Sequence, residues 1–337
     1  MSDSKAPEAA PPPAYDDIVD AARRLAGVAV ATSLIESPAL NARVGGRILI
    51  KAETLQRTGS FKFRGAYNLI SRLSPEARRA GIVAYSSGNH AQGVAAAAAI
   101  EGIDAIIVMP SDAPAIKQAN TRGHGAQIVL YDRFRDAREA IAAAIAQERG
   151  ATIVPPFDHP LIIAGQGTVG LELAAEARAR GVRLDAVLAP CGGGGLAAGI
   201  ATALERERPE TAVFAVEPLG CDDTARSLIA GRRLANDPAA RTICDALMAP
   251  MPGALTFAIN RRLLAGGLAV TDDAVRAAMA YAFATLKLVV EPGGAVALAA
   301  LLAGSYDAAG KTVALVLSGG NVDRDAFSEA VKAAETA

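Results

Sequence analysis

Tryptophan is absent from this 337-residue chain, and cysteine and histidine occur three times each. Cys191, Cys221 and Cys244 are odd in number and form no C-x-x-C pair, which argues against a disulfide framework or a zinc site and fits a reduced, cytoplasmic protein. An excess of one charge is also missing. Thirty-four Lys and Arg stand against 35 Asp and Glu, a net charge of −1, so neither nucleic acid nor an anionic membrane surface is an expected partner. No apolar run approaches the ~18 residues that a membrane span needs. The opening MSDSKAPEAAPPPAYDD is acidic and Pro-rich without an apolar stretch, so the expectation for residues 1–14 is a disordered leader and not a signal peptide.

What is plentiful is apolar residue, 51% of the chain, in a length beyond what one core usually supports; two lobes are expected. Strand and helix signals alternate in the manner of open α/β parallel sheets. Strands are expected at Ile48–Ala52, Ile82–Tyr85, Ala105–Met109, Ala126–Leu130, Thr152–Val154, Ala186–Ala189, Ala212–Val216 and Thr312–Leu317. Helices are expected over Tyr15–Ala26, from Lys62 through Leu73, up to Ile100, and over Ala113–Thr121, Phe134–Glu148, Leu161–Arg180, Leu196–Arg206, Asn260–Ala265, Asp272–Lys287 and Asp325–Ala334.

Gly192, Gly193, Gly194 and Gly195 lie between a buried strand and a helix. Four glycines cost backbone entropy, and what they supply is a row of N–H groups able to close around an anion at the positive end of the helix. The ligand is left open by these residues alone: Gly193, Gly195 and Ala198, with Glu217 some twenty residues on, also imitate a dinucleotide fingerprint. Lys62, between Phe61 and Phe63 at a helix entrance, reads as a desolvated nucleophilic amine. It reads more readily as a snorkelling surface lysine with Arg64 as its solvated companion. Ser86-Ser87-Gly88-Asn89-His90 forms a second small-residue loop before a helix, either an anion site or an ordinary Ser N-cap. His90, His124 and His159 read best as hydrogen-bonded structural histidines. Glu217, Cys221, Asp222 and Asp223 make an acidic turn that either holds a hard cation through oxygens or is simply solvated. Ser318-Gly319-Gly320-Asn321 follows the last strand, where open α/β sheets bind ligands.

Taken together, SFKFRGA (60–66), SSGNHAQG (86–93), PPFDHPLIIAGQGT (155–168), GGGGLAAG (192–199), VEPLGCDD (216–223) and SGGN (318–321) resemble the fold-type II pyridoxal-phosphate enzymes. The resemblance is to the serine/threonine dehydratase and serine racemase family in particular, and it runs from about Ala31 to the C-terminus. It implies two open α/β domains with the cofactor, pyridoxal 5′-phosphate, in the cleft between them. Residues 15–76 with 154–332 would form the large domain and 77–153 the small one. Lys62 would form the Schiff base beside Phe61, Asn89 would bond the ring hydroxyl, Gly192–Gly195 would hold the phosphate, and Ser318 would meet the ring nitrogen. A serine there, unlike a carboxylate, leaves a shallower electron sink, which suits elimination. Ser86, Ser87, Asn89 and His90 would surround the substrate carboxylate. Glu217, the carbonyl of Cys221 and Asp223 match the family's divalent-cation ligands, for Mg²⁺, Ca²⁺ or Mn²⁺.

The expected activity is elimination of water from a hydroxy amino acid of the L-threonine or L-serine type, giving a 2-oxo acid and ammonia, in a homodimer. The alternatives are a 3-hydroxyaspartate dehydratase, with Arg138 as a candidate second-carboxylate or effector contact that reads more readily as a helix-surface arginine, and a serine racemase, with Ser87 either as the second base or only as a helix cap and carboxylate ligand. Outside the family, the rival is a nucleotide-binding module. Two departures stand out: Thr32-Ser33-Leu34 where members commonly carry Thr-Pro-Leu, and Gly294 in the Glu291–Ala295 turn. Without a C-terminal regulatory domain, feedback by a branched-chain amino acid is not expected.

Overall fold

The structure, a computed structural model, describes residues 11–335 apart from Phe134. The leader read from the sequence therefore falls mostly outside the described residues. Among the described residues, ten strands form two sheets. β1 (Leu34–Glu36), β2 (Arg47–Ala52), β7 (Ala186–Pro190), β8 (Ala212–Pro218), β9 (Gly266–Val270) and β10 (Thr312–Leu317) make a six-stranded sheet in the order β1-β2-β10-β7-β8-β9. Only β1 runs antiparallel to its neighbour. β3 (Ile82–Tyr85), β4 (Ala105–Pro110), β5 (Gln127–Tyr131) and β6 (Thr152–Ile153) make a parallel sheet in the order β5-β4-β3-β6. Burial on both faces accounts for the unbroken apolar runs: every residue of β4, β7 and the last five of β10 is buried.

The helices cover these sheets with small residues. The Asn89–Glu101 helix is rich in alanine on every face, and Ala91 through Ala98 are all buried. The Pro160–Ala179 and Gly195–Glu207 helices approach so closely that a Cβ on Gly199 would stand 2.6 Å from the Gly167 nitrogen. Any side chain there would force the backbones apart.

Several elements depart from the sequence reading: β1 and the Pro38–Val44, Pro75–Ala80 and Asp223–Ala230 helices are not expected, and three further departures have a visible cause. β9 is not among the expected strands, because Gly266 and Gly267 carry no strand signal; pairing with β8 makes it a strand nonetheless. The helix expected at Asn260–Ala265 begins earlier, at Ala254. Its cap comes from far along the chain: the Asp158 carboxylate accepts from the N–H groups of Ala254, Leu255 and Thr256 at 2.8–3.0 Å. The helix from Asp272 stays α-helical only to Tyr281, widens into a π turn over Ala282–Leu286, and stops at Lys287 with φ 60°.

The helix carrying Lys62 (Lys62–Ile70) is anchored by charge. Arg64 is not a solvated companion. It is 1% exposed, and its guanidinium donates to both Glu53 oxygens at 2.8 Å and to Glu172 at 2.5 and 2.9 Å. Lys51, also buried, ties Glu172 (2.7 Å) and Glu176 (3.4 Å) to β2. Breaking such a buried pair by removing one partner costs about 3–5 kcal/mol.

Candidate active site

The C-terminal ends of β3, β7 and β10 open on one cleft, the place where open α/β sheets bind small molecules. Phe61, Lys62, Ser86, Ser87, Asn89, His90, the four glycines and Ser318 all line it. Residues from both ends of the sequence thus share one wall.

Lys62 sits on the first turn of its helix, with Nζ donating to the Pro156 carbonyl at 2.7 Å and lying 5.3 Å from the Phe61 ring centroid. Burial lowers its pKa to about 8. Phe63 does not share this environment. One residue along a helix turns the side chain about 100°, and Phe63 points into the core, stacked on Tyr67. The aromatic wall beside Lys62 is Phe61, and the cleft also takes in Phe157.

Gly192–Gly195 connect β7 to the Gly195–Glu207 helix. Gly194 has φ +94°, a conformation that a side chain disfavours, and a Cβ on Gly193 would meet the Phe157 ring at 2.4 Å. Thr256 Oγ1 donates to the Gly193 carbonyl at 2.7 Å and Asn260 Nδ2 to that of Gly194 at 3.4 Å, so the carbonyls are held away. The N–H groups of Gly192, Gly193 and Gly195 find no protein acceptor among the described residues. A helix N-terminus with free N–H groups fits a phosphate.

At the other loop, Gly88 and not a serine is the N-cap of the Asn89–Glu101 helix, and no side chain caps it. Ser86 Oγ accepts from the Gly88 N–H at 3.2 Å, and Ser87 lines the cleft. The ordinary Ser N-cap is thereby corrected: the loop turns one residue later than a cap requires. His90 is buried, with Nε2 2.9 Å from the Val154 carbonyl. Since a carbonyl only accepts, Nε2 carries the proton. Burial holds the pKa of His90 at about 3, so it is neutral. His159 caps the Pro160–Ala179 helix through Nδ1, accepting from the Leu161 N–H at 3.1 Å.

The acidic turn lies away from the cleft and is not solvated: Glu217 and Asp223 are fully buried. Glu217 accepts from the N–H groups of Thr224 (3.0 Å) and Ala225 (2.8 Å) at the start of the Asp223–Ala230 helix. That leaves it no place in a dinucleotide site, and the fingerprint reading fails. Asp223 Oδ1 accepts from Asn236 at 2.6 Å, while its Oδ2 is buried without a partner. Burial raises Glu217 to about 8 and Asp223 to about 6, and it raises the Cys221 thiol as well. Among the described residues, no group of three or more His, Cys, Asp and Glu side chains is arranged to hold a metal.

The cleft also contains charged residues outside the six family-like stretches. Lys117, Asp245 and Glu291 line it, and so does Arg138, at the start of the Arg138–Arg149 helix with its guanidinium over the Tyr85 ring at 5.5 Å. An isolated lysine on an amphipathic helix gives no sign that it will be buried.

The family model described as pyridoxal-phosphate dependent enzyme matches residues 25–319. The chain belongs to the pyridoxal-phosphate-dependent enzymes. It is 41% identical to L-threo-3-hydroxyaspartate ammonia-lyase of Saccharomyces cerevisiae, over 96% of this chain and 98% of that one. Among solved structures, it is similar to the T.th. threonine deaminase, with a TM-score of 0.87 and 47% identity over 92% and 99% of the two chains. Maize serine racemase superposes with a TM-score of 0.89 at 36% identity, over 95% and 97%. These likenesses confirm the α/β fold class read from the sequence.

The low pKa of Lys62 is open to direct measurement. In the chain stripped of cofactor, acylation of Lys62 followed by peptide mass should be half-maximal near pH 8, whereas exposed lysines titrate near ~10.4. A Lys62 midpoint alongside the exposed lysines would contradict the burial argument.

Proposed function

We propose that this enzyme removes water from a β-hydroxy amino acid, giving a 2-oxo acid and ammonia. The observation that carries the reading is the convergence on one cleft of a poorly solvated amine, Lys62, and a glycine loop with free N–H groups. Pyridoxal phosphate, when bound, withdraws electrons from the carbon that bears the amino group and so acidifies its C–H. Lys62 is the residue to hold it, Gly192–Gly195 to bind its phosphate, Asn89 to meet its ring hydroxyl, and Ser318 to face its ring nitrogen with a neutral hydroxyl.

The amine of Lys62 then removes the Cα proton; its lowered pKa leaves a substantial neutral fraction near pH 8. Ser86, Ser87 and Asn89, at the positive end of the Asn89–Glu101 helix, bind the substrate carboxylate. Neutral His90 adds no charge there, and its role is to support the loop through Val154. Residues 77–153 are assigned to the small domain and 15–76 with 154–332 to the large one, as the division between the two sheets supports. A homodimer belongs to the same reading.

One observation favours a particular substrate, 3-hydroxyaspartate. Arg138 lines the same cleft as Lys62 and is not merely a helix-surface arginine; its Nε is bonded to Glu139 at 2.8 Å and its guanidinium also meets the Tyr131 hydroxyl, with further N–H groups to offer a second carboxylate. Likeness to a hydroxyaspartate ammonia-lyase supports this choice. Ammonia release from L-serine, L-threonine and L-threo-3-hydroxyaspartate tests both readings. Release from none of them would end the dehydratase assignment. With Arg138→Met, KM for the dicarboxylate should rise about tenfold, the worth of one charge-assisted hydrogen bond, with KM for serine little changed. Equal losses on both substrates would remove Arg138 from the substrate site.

Glu217, the Cys221 carbonyl and Asp223 are proposed to hold Mg²⁺ or Ca²⁺. The unpartnered, buried Asp223 oxygen supports this, because a cation would compensate it. A cation that binds only the folded chain stabilises it, by about 2.7 kcal/mol at a hundredfold excess over its dissociation constant. Chelator should lower the melting temperature and Mg²⁺ should restore it. No change with either would return this turn to a purely structural role.

A further inference from the structure

Lys117 is a buried cation in the cleft that the reaction above does not use. It stands on the Ala115–Gly123 helix beside the four-stranded sheet and is 2% exposed. It reaches two carboxylates on the opposite side, Asp245 Oδ2 at 3.0 Å and Glu291 Oε2 at 3.1 Å. Its stem passes over Gly88, where a Cβ would come within 2.4 Å of Lys117 Cδ. The helix entrance is thus open at the one point that lets this lysine through.

Glu291 uses its other oxygen for the site. Oε1 accepts a hydrogen bond from Asn89 Nδ2. Asn89 Oδ1 in turn accepts from Asn321 Nδ2 at 2.9 Å, and that same Nδ2 donates to the Thr58 carbonyl at 2.8 Å. Asn321 therefore presents a donor with both hydrogens committed.

Oε1 faces the Asn89 donor, and Oε2, which accepts no hydrogen bond, lies 3.1 Å from the Lys117 ammonium; that ion pair favours the carboxylate, which acts only as an acceptor. An acceptor on that side forces the Asn89 amide to turn its NH₂ group toward Glu291 and its oxygen toward Asn321. One amide hydrogen of Asn89 remains for a ligand. A protonated Glu291 could instead donate, and the amide would lose its reason to point one way. Burial pushes Glu291 toward that protonated form, and the Lys117 ammonium opposes it. Burial also works against the ammonium, but Glu291 and Asp245 outweigh it and keep it charged.

We propose that Lys117, braced by Asp245, is a positioning residue for the cofactor: it keeps Glu291 an acceptor, and Glu291 thereby fixes which end of Asn89 meets the ring hydroxyl. This rests on the cofactor placement given above. Loss of Lys117 then changes the cofactor's electronic state, which loss of a merely structural lysine would not do. With a donor at Asn89, the ring hydroxyl is held in its ionised form; without one, it keeps its proton.

The test uses the holoenzyme and two readouts that need no turnover: the visible band of the bound cofactor and its rate of release on dilution. Lys117→Met and Glu291→Gln should each shift the band to shorter wavelength and speed release about tenfold, the worth of one good hydrogen bond. Glu291→Gln preserves shape while offering Asn89 a donor, so it decides the matter should Lys117→Met fail to fold. The double variant should be no worse than either single one, because both act through the same amide. A wild-type band and release rate in Glu291→Gln, or effects that add in the double variant, would overturn the proposal. A wild-type chain that carries no cofactor would overturn the cofactor placement together with it.

Discussion

Parallel strands deliver all their C-terminal ends to one edge of a sheet, and this constraint places nearly every residue of chemical interest. Ser86 follows β3, the glycine loop follows β7, and Ser318 follows β10. β7 and β10 are neighbours in one sheet, so their register brings the glycine loop and Ser318 together, while Ser86 reaches the same cleft from the end of a strand in the other sheet. Lys62 is the exception, since it opens a helix. Its position depends on the buried Arg64, whose bonds to Glu53 and Glu172 join the end of β2, the Lys62 helix and the Pro160–Ala179 helix. The amine is therefore held by charge pairs that are themselves shielded from water.

The two glycine-dependent sites differ in what the missing side chains achieve. At Gly192–Gly195, the backbone is turned so that its carbonyls bond to Thr256 and Asn260 while N–H groups are left for an anion. At Gly88, space is cleared for a neighbour, and the Lys117 stem occupies it. The first builds a binding surface from the main chain. The second admits a cation that bridges the two sides of the cleft.

Much of this was legible in the sequence. Buried strands such as Thr312–Leu317 announce themselves as apolar runs bounded by polar loops, and the loops after them carry the small residues that ligand sites need. What escaped was set by contacts distant in sequence. β9 forms because β8 offers it an edge, the Ala254 helix begins where Asp158 caps it, and Arg64 is buried because two glutamates meet it. Lys117, Asp245 and Glu291 belong to the same class. Nothing local distinguishes a lysine destined for a buried ion pair from one left in solvent, because the partner carboxylates lie more than a hundred residues away.

The central claim is that Lys62 is the residue that holds the cofactor. Borohydride reduction of the holoenzyme followed by peptide mapping tests it most directly. A reduced pyridoxyl adduct on Lys62, absent from Lys62→Ala, is the predicted result. An adduct on any other lysine, or one that persists in full in Lys62→Ala, would contradict the account.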